Sequence, residues 1–330
     1  MSRRPAGPMA AAGSLALVVG LVALLSLAGA PLAAQPQALG TPTDTATPTA
    51  TFTPTMLPTA TSTPTRTPTA TPTPVPSLTP TPSPTPTVPT PTPPAAADHL
   101  WLSHPVGPEA EGDRYPGSYF PYGATGGGRY HLHHGVDYAN PAGTPVLATA
   151  AGRVVVAGDD LEVVYGVKPD FYGNLVIQQL DEPFGGQPVF VLYGHLSQVL
   201  VEEGQHLEAG QPLGLVGMTG VAIGNHLHVE VRLGSNDYGS TRNPVLWLRP
   251  EGSQGVIAGL VLDAQGKPLP ELPVTFFRAA EPSKWWRQIQ TYANEEINAD
   301  EQLGENFALG YVPAGDYLVT VDTRRVDGRI

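Results

Sequence analysis

HLHVEVRL, residues 226 to 233, alternates polar and apolar side chains without a slip. On an extended chain, successive side chains point to opposite faces. His226, His228 and Glu230 therefore share one face, and Leu227, Val229 and Val231 fill the other, as a strand bordering a core requires. A second stretch, HLHHGVDYANPAGTPV at 131 to 146, obeys the same arithmetic. His131, His133, Gly135 and Asp137 face one way, His134 and Val136 the other. Two such strands side by side bring an HxxxD pair against an HxH pair. Two imidazoles and a carboxylate, with a position left for water, form the donor set of a catalytic rather than a structural zinc site. The chain has no cysteine, so no disulfide is available and any metal must be held by His, Asp or Glu. Each motif alone is weak; their joint presence is much stronger. His195, in LYGHLS, is a further candidate, although a lone histidine at a strand end is more often solvated or bonded locally.

Outward from these strands the pattern stays β. Short apolar runs recur at 154 to 158, 174 to 180, 188 to 194, 256 to 263, 273 to 278 and 317 to 322, punctuated by Gly, Pro, Asn and Asp. The expected class is all-β with antiparallel sheets. EPSKWWRQIQTYAN (281 to 294) is the one helix-like window, and its aromatics suit a strand equally well. A polar break at RPEGSQ (249 to 254) divides a histidine-bearing region, residues 99–250, from a histidine-free module, residues 255–330.

The first 98 residues read differently. Residues 1–34 carry Arg3 and Arg4 and then an apolar core, LALVVGLVALLSL, as a secretory signal does. The core is shorter than the ~20 residues a membrane span needs, but residues 9–34 together could serve as an uncleaved anchor. Residues 35–98 are dominated by Thr and Pro, which supply too few apolar groups and too few backbone donors to fold. They are expected to be a disordered, polyproline-like spacer, reaching on the order of 170 Å at about 3.1 Å per residue over residues 41 to 94. The protein is thus expected to act outside the cytoplasm, secreted or tethered to the envelope.

Charge narrows the partners. Arg3, Arg4, Arg66, Asp44 and Asp98 precede residue 99; setting them aside from 17 basic and 29 acidic residues leaves 14 against 27. So acidic a composition is poor equipment for binding nucleic acid or anionic lipid, which need a basic face.

The stretches HHGVDYANPAGTPVLATAAGRVVVAG, YGNLVIQ, LYGHLSQVLVEEGQHLEAGQPLGLVGMTG and GNHLHVEVR together resemble the LytM/lysostaphin-type zinc endopeptidases, family M23, from about Tyr122 to Leu248. The resemblance implies zinc ligands at His133 and Asp137, from H-x-G-x-D, and at His228, from H-x-H. It implies a catalytic, non-ligand pair at His226 and His195. His134 occupies the variable position, and His131 becomes a rim residue. Tyr122 and Tyr130 are candidates to support an oxyanion. Glu230 either backs the metal site or pairs with a neighbouring cation, the latter weighing more. The implied cofactor is Zn2+, the implied partner peptidoglycan, and the implied reaction hydrolysis of its stem or cross-bridge peptides. Members that lose one or more of these five positions serve instead as activators of other wall hydrolases, which makes an idle wall-binding scaffold the alternative.

VEEGQHLEAGQPLGLVG (201 to 217) also resembles the half-barrel of biotinyl and lipoyl carriers, but has no lysine to take the cofactor and is read as scaffold. GVIAGLVLDAQGKPLPELPVTFFR and ENFALGYVPAGDYLVTVD resemble carboxypeptidase regulatory-like or CnaB-type β-sandwiches. At least one more strand is expected past VDGRI, so the sandwich is expected to be incomplete or finished by a partner. Trp285 and Trp286 offer either a sugar-stacking platform or core packing, with packing favoured.

Overall fold

The computed structural model describes residues 18–22, 100–293 and 296–322. The spacer, most of the leader and residues 323–330 lie outside the described residues. The chain is all-β, and every pairing between its strands is antiparallel. Two short 3-10 turns, Tyr238–Ser240 and Pro244–Leu246, are the helical residues among those described. No described helix is long and apolar enough to cross a membrane.

In chain order the strands are β1 (Val18–Val22), β2 (Val136–Ala139), β3 (Pro145–Leu147), β4 (Gly152–Asp159), β5 (Asn174–Leu180), β6 (Val189–Val199), β7 (His206–Leu207), β8 (Pro212–Val216), β9 (His226–Leu233) and β10 (Thr241–Arg242). Then come β11 (Gln254–Leu262), β12 (Pro273–Arg278), β13 (Trp285–Gln290), β14 (Phe307–Pro313) and β15 (Tyr317–Val321). β2 to β10 make one sheet whose spine runs β9-β6-β5-β4. One edge of β9 faces β6. The other is shared by β2, opposite His226 to Val229, and β10, opposite Val231 and Arg232.

The expected alternation of β9 holds in direction but not in exposure. Leu227, Val229, Val231 and Leu233 enter a core with Val136, Tyr138, Val191 and Tyr193. The polar face is buried as well: Glu230 and Arg232 have no exposure at all. A strand with charged groups enclosed on its second face must have partners for them there. Those partners make the site.

β1 and β11 to β15 form two three-stranded sheets, β1-β11-β14 and β13-β12-β15, around Ile257, Val261, Val274, Phe276, Ile289, Phe307 and Leu309. The window EPSKWWRQIQTYAN holds a strand, β13. A bulge there pairs Phe276 with Arg287 and Phe277 with Trp285, leaving Trp286 over. The two tryptophans therefore part company. Trp286 packs against the module's core and lies 5.3 Å from the Tyr317 ring, whereas Trp285 is 63% exposed. Core packing is right for the first and wrong for the second. The main core also crosses the polar break at 249 to 254: Val256, Ala258, Ala308 and Tyr311 pack with Val245 and Leu246.

Candidate metal centre and its flanking histidines

Register places the first two groups. Asp137 on β2 stands directly opposite His228 on β9. His133 lies ahead of β2, on a segment tied to the preceding turn: the Gly123 amide donates to His133 O at 2.8 Å, and the His133 amide donates to Ala124 O at 2.9 Å. Three donor atoms then converge. His133 Nε2 is 3.1 Å from Asp137 Oδ1 and 3.2 Å from His228 Nδ1, and His228 Nδ1 is 3.0 Å from Asp137 Oδ1. Three ligands at zinc distances of 2.0–2.1 Å on a tetrahedron stand about 3.3 Å apart, so this triangle fits such an ion closely. Gly135 passes beneath the His228 ring, where an added Cβ would lie 2.7 Å from His228 Cε1 and 2.4 Å from Val229 O.

Each imidazole is fixed by its far nitrogen. Backbone carbonyls accept from His133 Nδ1 (Pro121, 3.2 Å), His195 Nδ1 (Thr219, 2.9 Å) and His226 Nδ1 (Gly224, 3.0 Å). A carbonyl can only accept, so each of these Nδ1 atoms carries the proton and each Nε2 keeps a free lone pair. His228 is turned the other way: its Nε2 donates to Glu230 Oε1 at 3.2 Å, which frees Nδ1 for the triangle. Glu230 is clamped in turn by Arg232 Nε at 2.8 Å and by the Tyr172 hydroxyl. Both expected roles of Glu230 are therefore met, behind the donor triangle and in an ion pair.

The His195 and His226 rings lie 4.7 Å apart, on the flank of this triangle, and His195 lies 5.6 Å from His228. His195 is buried and has φ of 61°, a left-handed conformation uncommon for a residue with a Cβ. Its amide donates to Tyr172 O at 2.9 Å and its ring Nδ1 to Thr219 O at 2.9 Å, so backbone and side chain are each anchored.

The comparisons bear on this constellation. Residues 131–244 match the model of peptidase family M23. The match supports a peptidase M23-like domain over these residues. The chain is 35% identical over 104 residues to the peptidoglycan DD-endopeptidase ShyB of Vibrio cholerae, covering 32% of this chain and 21% of that protein. It is 34% identical over 127 residues to the murein hydrolase activator NlpD of Escherichia coli, covering 38% and 28%. It spans less than half the length of such curated relatives. The catalytic domain of lysostaphin from Staphylococcus simulans matches at 30% identity over 39% of this chain and 86% of that one, with a TM-score of 0.31.

Around the donor triangle lie the other residues expected at the site. His134 is buried away from it, bonded to Thr241 Oγ1 at 2.9 Å and packed on Tyr238; burial lowers its pKa to about 4. His131 is exposed, 5.7 Å from the Phe171 ring, as a rim residue should be. Tyr122 is a correction. It is 1% exposed and its hydroxyl donates to Thr241 O at 3.0 Å, so it has no free donor for an oxyanion. Tyr130 is 52% exposed and touches Phe120, which stacks on His133 at 4.5 Å.

Sequence reasoning missed Tyr172 and Asp160. Asp160 accepts the amides of Phe171, Tyr172 and Gly173, each at 2.9 Å, and so delivers Tyr172 to Glu230 and His195. The FYG before NLVIQ was the one local signal, and it says nothing of the partner eleven residues upstream.

Electrostatics make the His133–Asp137–His228 triangle a proton-linked site. Burial and the neighbouring His228 and His226 push His195 down to about 3, which keeps it neutral. Burial works against charge at His228 too, but the hydrogen bonds to Asp137 and Glu230 raise it to about 9. A metal taking Nδ1 must displace that proton. Affinity should therefore rise about tenfold per pH unit from 6 to 9 on account of this group and level off above it. The metal-free protein has the opposite dependence. Stabilisation from protonated His228 is fully present below the unfolded pKa near 6.5 and is lost as pH rises through about 9. Chelator competition at pH 6, 7.5 and 9 measures the first effect, and a flat profile would remove His228 from the ligand set.

Proposed function

We propose that the chain is an exported zinc-dependent endopeptidase that hydrolyses peptide bonds in peptidoglycan stem peptides or cross-bridges. The observation that carries this reading is the convergence of His133 Nε2, Asp137 Oδ1 and His228 Nδ1 within 3.0–3.2 Å of one another, flanked by two further imidazoles of fixed tautomer. His133, Asp137 and His228 would hold zinc, which when bound polarises a scissile carbonyl and lowers the pKa of a coordinated water toward ~7.

The remaining steps belong to His195 and His226. Each presents an Nε2 lone pair on the flank of the ligand triangle, so one can take the proton of the attacking water and return it to the leaving amine. The other, once protonated, supports the developing negative charge. His195 has the more enclosed ring, a feature of a preorganised group.

Residues 1–34 act as signal or membrane anchor, 35–98 as the spacer that lets residues 99–250 reach into the wall, and 255–330 as a sandwich of the regulatory-like type. Loss of residues 1–34 by cleavage would also strip β1 from the edge of β11. The activator reading has one observation in its favour, the similarity to a murein hydrolase activator. It loses weight because all five positions, His133, Asp137, His195, His226 and His228, are present and assembled.

The test is mass spectrometry of soluble products after the full chain is incubated with purified peptidoglycan, alongside chelated protein and His226→Ala. Fragments with newly freed amines, from the untreated wild type only, are expected; His226→Ala should keep zinc and lose at least about 100-fold in rate. Stoichiometric zinc without release from any of several wall chemotypes would overturn the enzyme and favour the activator.

A further inference from the structure

The metal site has a wall that the M23 match, ending at residue 244, does not include. The turn Pro121–Ala124 sits between two partners. On one side is His133, whose backbone pairs with Gly123 and Ala124 and whose Nδ1 donates to Pro121 O. On the other is the C-terminal module. The Ala293 amide donates to Gly123 O at 2.9 Å, and the buried Tyr292 ring covers Gly123 so tightly that an added Cβ would fall 2.7 Å from it. Gly123 has φ of 78°, so the turn needs glycine for its backbone as well as for this contact.

Tyr292 is itself locked. Its ring meets Tyr122 edge-on at 5.2 Å. Its hydroxyl accepts from Asn243 Nδ2 at 2.9 Å and donates to Glu305 Oε1 at 2.8 Å. Nearby, Asn298 Nδ2 donates to Gly239 O and Thr241 O, and the Tyr122 hydroxyl reaches Thr241 O as well as Asn298 O. Tyr292, Ala293 and Asn298 thus hold both the turn behind His133 and β10, the neighbour of β9.

We propose that the C-terminal module is an integral part of the metal site, with Tyr292 as a positioning residue that fixes the Pro121–Ala124 turn and, through it, the His133 imidazole. This inference rests on His133 being a metal ligand. The logic is that of outer partners elsewhere. A ligand whose far nitrogen and backbone are both fixed loses no freedom on binding, and removing such support costs about 10- to 100-fold in metal affinity. The carbonyl that sets the His133 tautomer belongs to Pro121, in the turn that Tyr292 covers. The module therefore acts on the metal without touching it.

The experiment uses the full chain and two readouts. Zinc affinity is measured by competition with a chromophoric chelator, and amide hydrogen exchange is followed in peptides covering residues 119–134. Tyr292→Ala should weaken zinc binding 10- to 100-fold and raise exchange at Gly123 and His133 while leaving β4 and β5 protected. Tyr292→Phe keeps the ring over Gly123 and should stay within about threefold of wild type. Phe276→Leu, in the module's own core, serves as a matched destabilised control and should leave zinc affinity unchanged. If Tyr292→Ala does not fold, Tyr292→Leu takes its place. Wild-type affinity and unchanged exchange in the Tyr292 variant would overturn the proposal, as would an equal loss in Phe276→Leu. A wild type that takes no zinc would instead defeat the metal-site reading, and the exchange data alone would then decide whether the module holds the turn.

Discussion

Gly135→Ala is expected to abolish metal binding at the proposed site. The nearest atom to the new Cβ would be Val229 O at 2.4 Å, followed by His228 Cε1 at 2.7 Å and Nε2 at 2.8 Å. Val229 cannot retreat, because β9 is hydrogen-bonded to β2 on one edge and β6 on the other at that point. The clash must then be relieved either by rotating the His228 imidazole off Glu230 or by peeling β2 from β9. Rotation removes Nδ1 from the triangle. Peeling removes Asp137, which sits opposite His228 in the ladder. Bound zinc should fall below about a tenth of stoichiometric, and kcat/KM by at least about 100-fold, since a misplacement on the order of 1 Å costs that much. Stability should drop by only about 1–3 kcal/mol, the usual cost of overpacking. Metal analysis beside a thermal melt separates the two effects. A folded Gly135→Ala protein with full zinc and normal turnover would mean that the triangle tolerates the movement and that this glycine is incidental.

That glycine marks how far the sequence could be read. Strand parity in HLHVEVRL and HLHHGVD puts His133, Asp137 and His228 on faces that meet, and the three residues that the resemblance to M23 peptidases implies as ligands are the three that the structure brings within 3.2 Å of one another. Parity succeeds because β9 is regular throughout and β2 carries Asp137 and begins three residues after His133. Tyrosine roles were not legible. Tyr122, on a loop rich in Gly and Tyr, looks like a free hydroxyl until Tyr292, 170 residues later, is found packed against it. Nor could spacing show that the polar face of β9 would be sealed, because the sealing groups, Tyr172 and the Asp160 loop, come from a separate hairpin. The bulge that splits Trp285 from Trp286 depends on pairing with β12, which no local pattern encodes. What periodicity conveys is direction. Enclosure depends on long-range partners.

The enclosed pair Glu230–Arg232 gives the second large effect. Arg232 donates through Nε to Glu230 at 2.8 Å and through Nη2 to Tyr165 O at 3.0 Å, and both residues are wholly buried. Burial pushes the Glu230 carboxyl up, but Arg232, then His228, hold it down to about 2. As a depressed carboxylate, Glu230 contributes stability above its unfolded pKa near 4.5 that is lost as pH falls through about 2. Arg232→Met removes the cation and leaves a carboxylate enclosed with the His228 imidazole and the Tyr172 hydroxyl, which should cost about 3–5 kcal/mol. Replacing both members, Glu230→Leu with Arg232→Met, removes the stranded charge and should restore most of that stability, because apolar pairs of similar volume do as well as buried ion pairs or better. Zinc affinity should not recover with it. Without Glu230 nothing accepts from His228 Nε2, the tautomer that frees Nδ1 is no longer enforced, and binding should remain about 10- to 100-fold weaker. Denaturant melts and chelator competition on the two variants therefore ought to disagree in direction. If affinity returned in step with stability, the network would be packing alone, and Glu230 would have no part in aiming His228 at the metal.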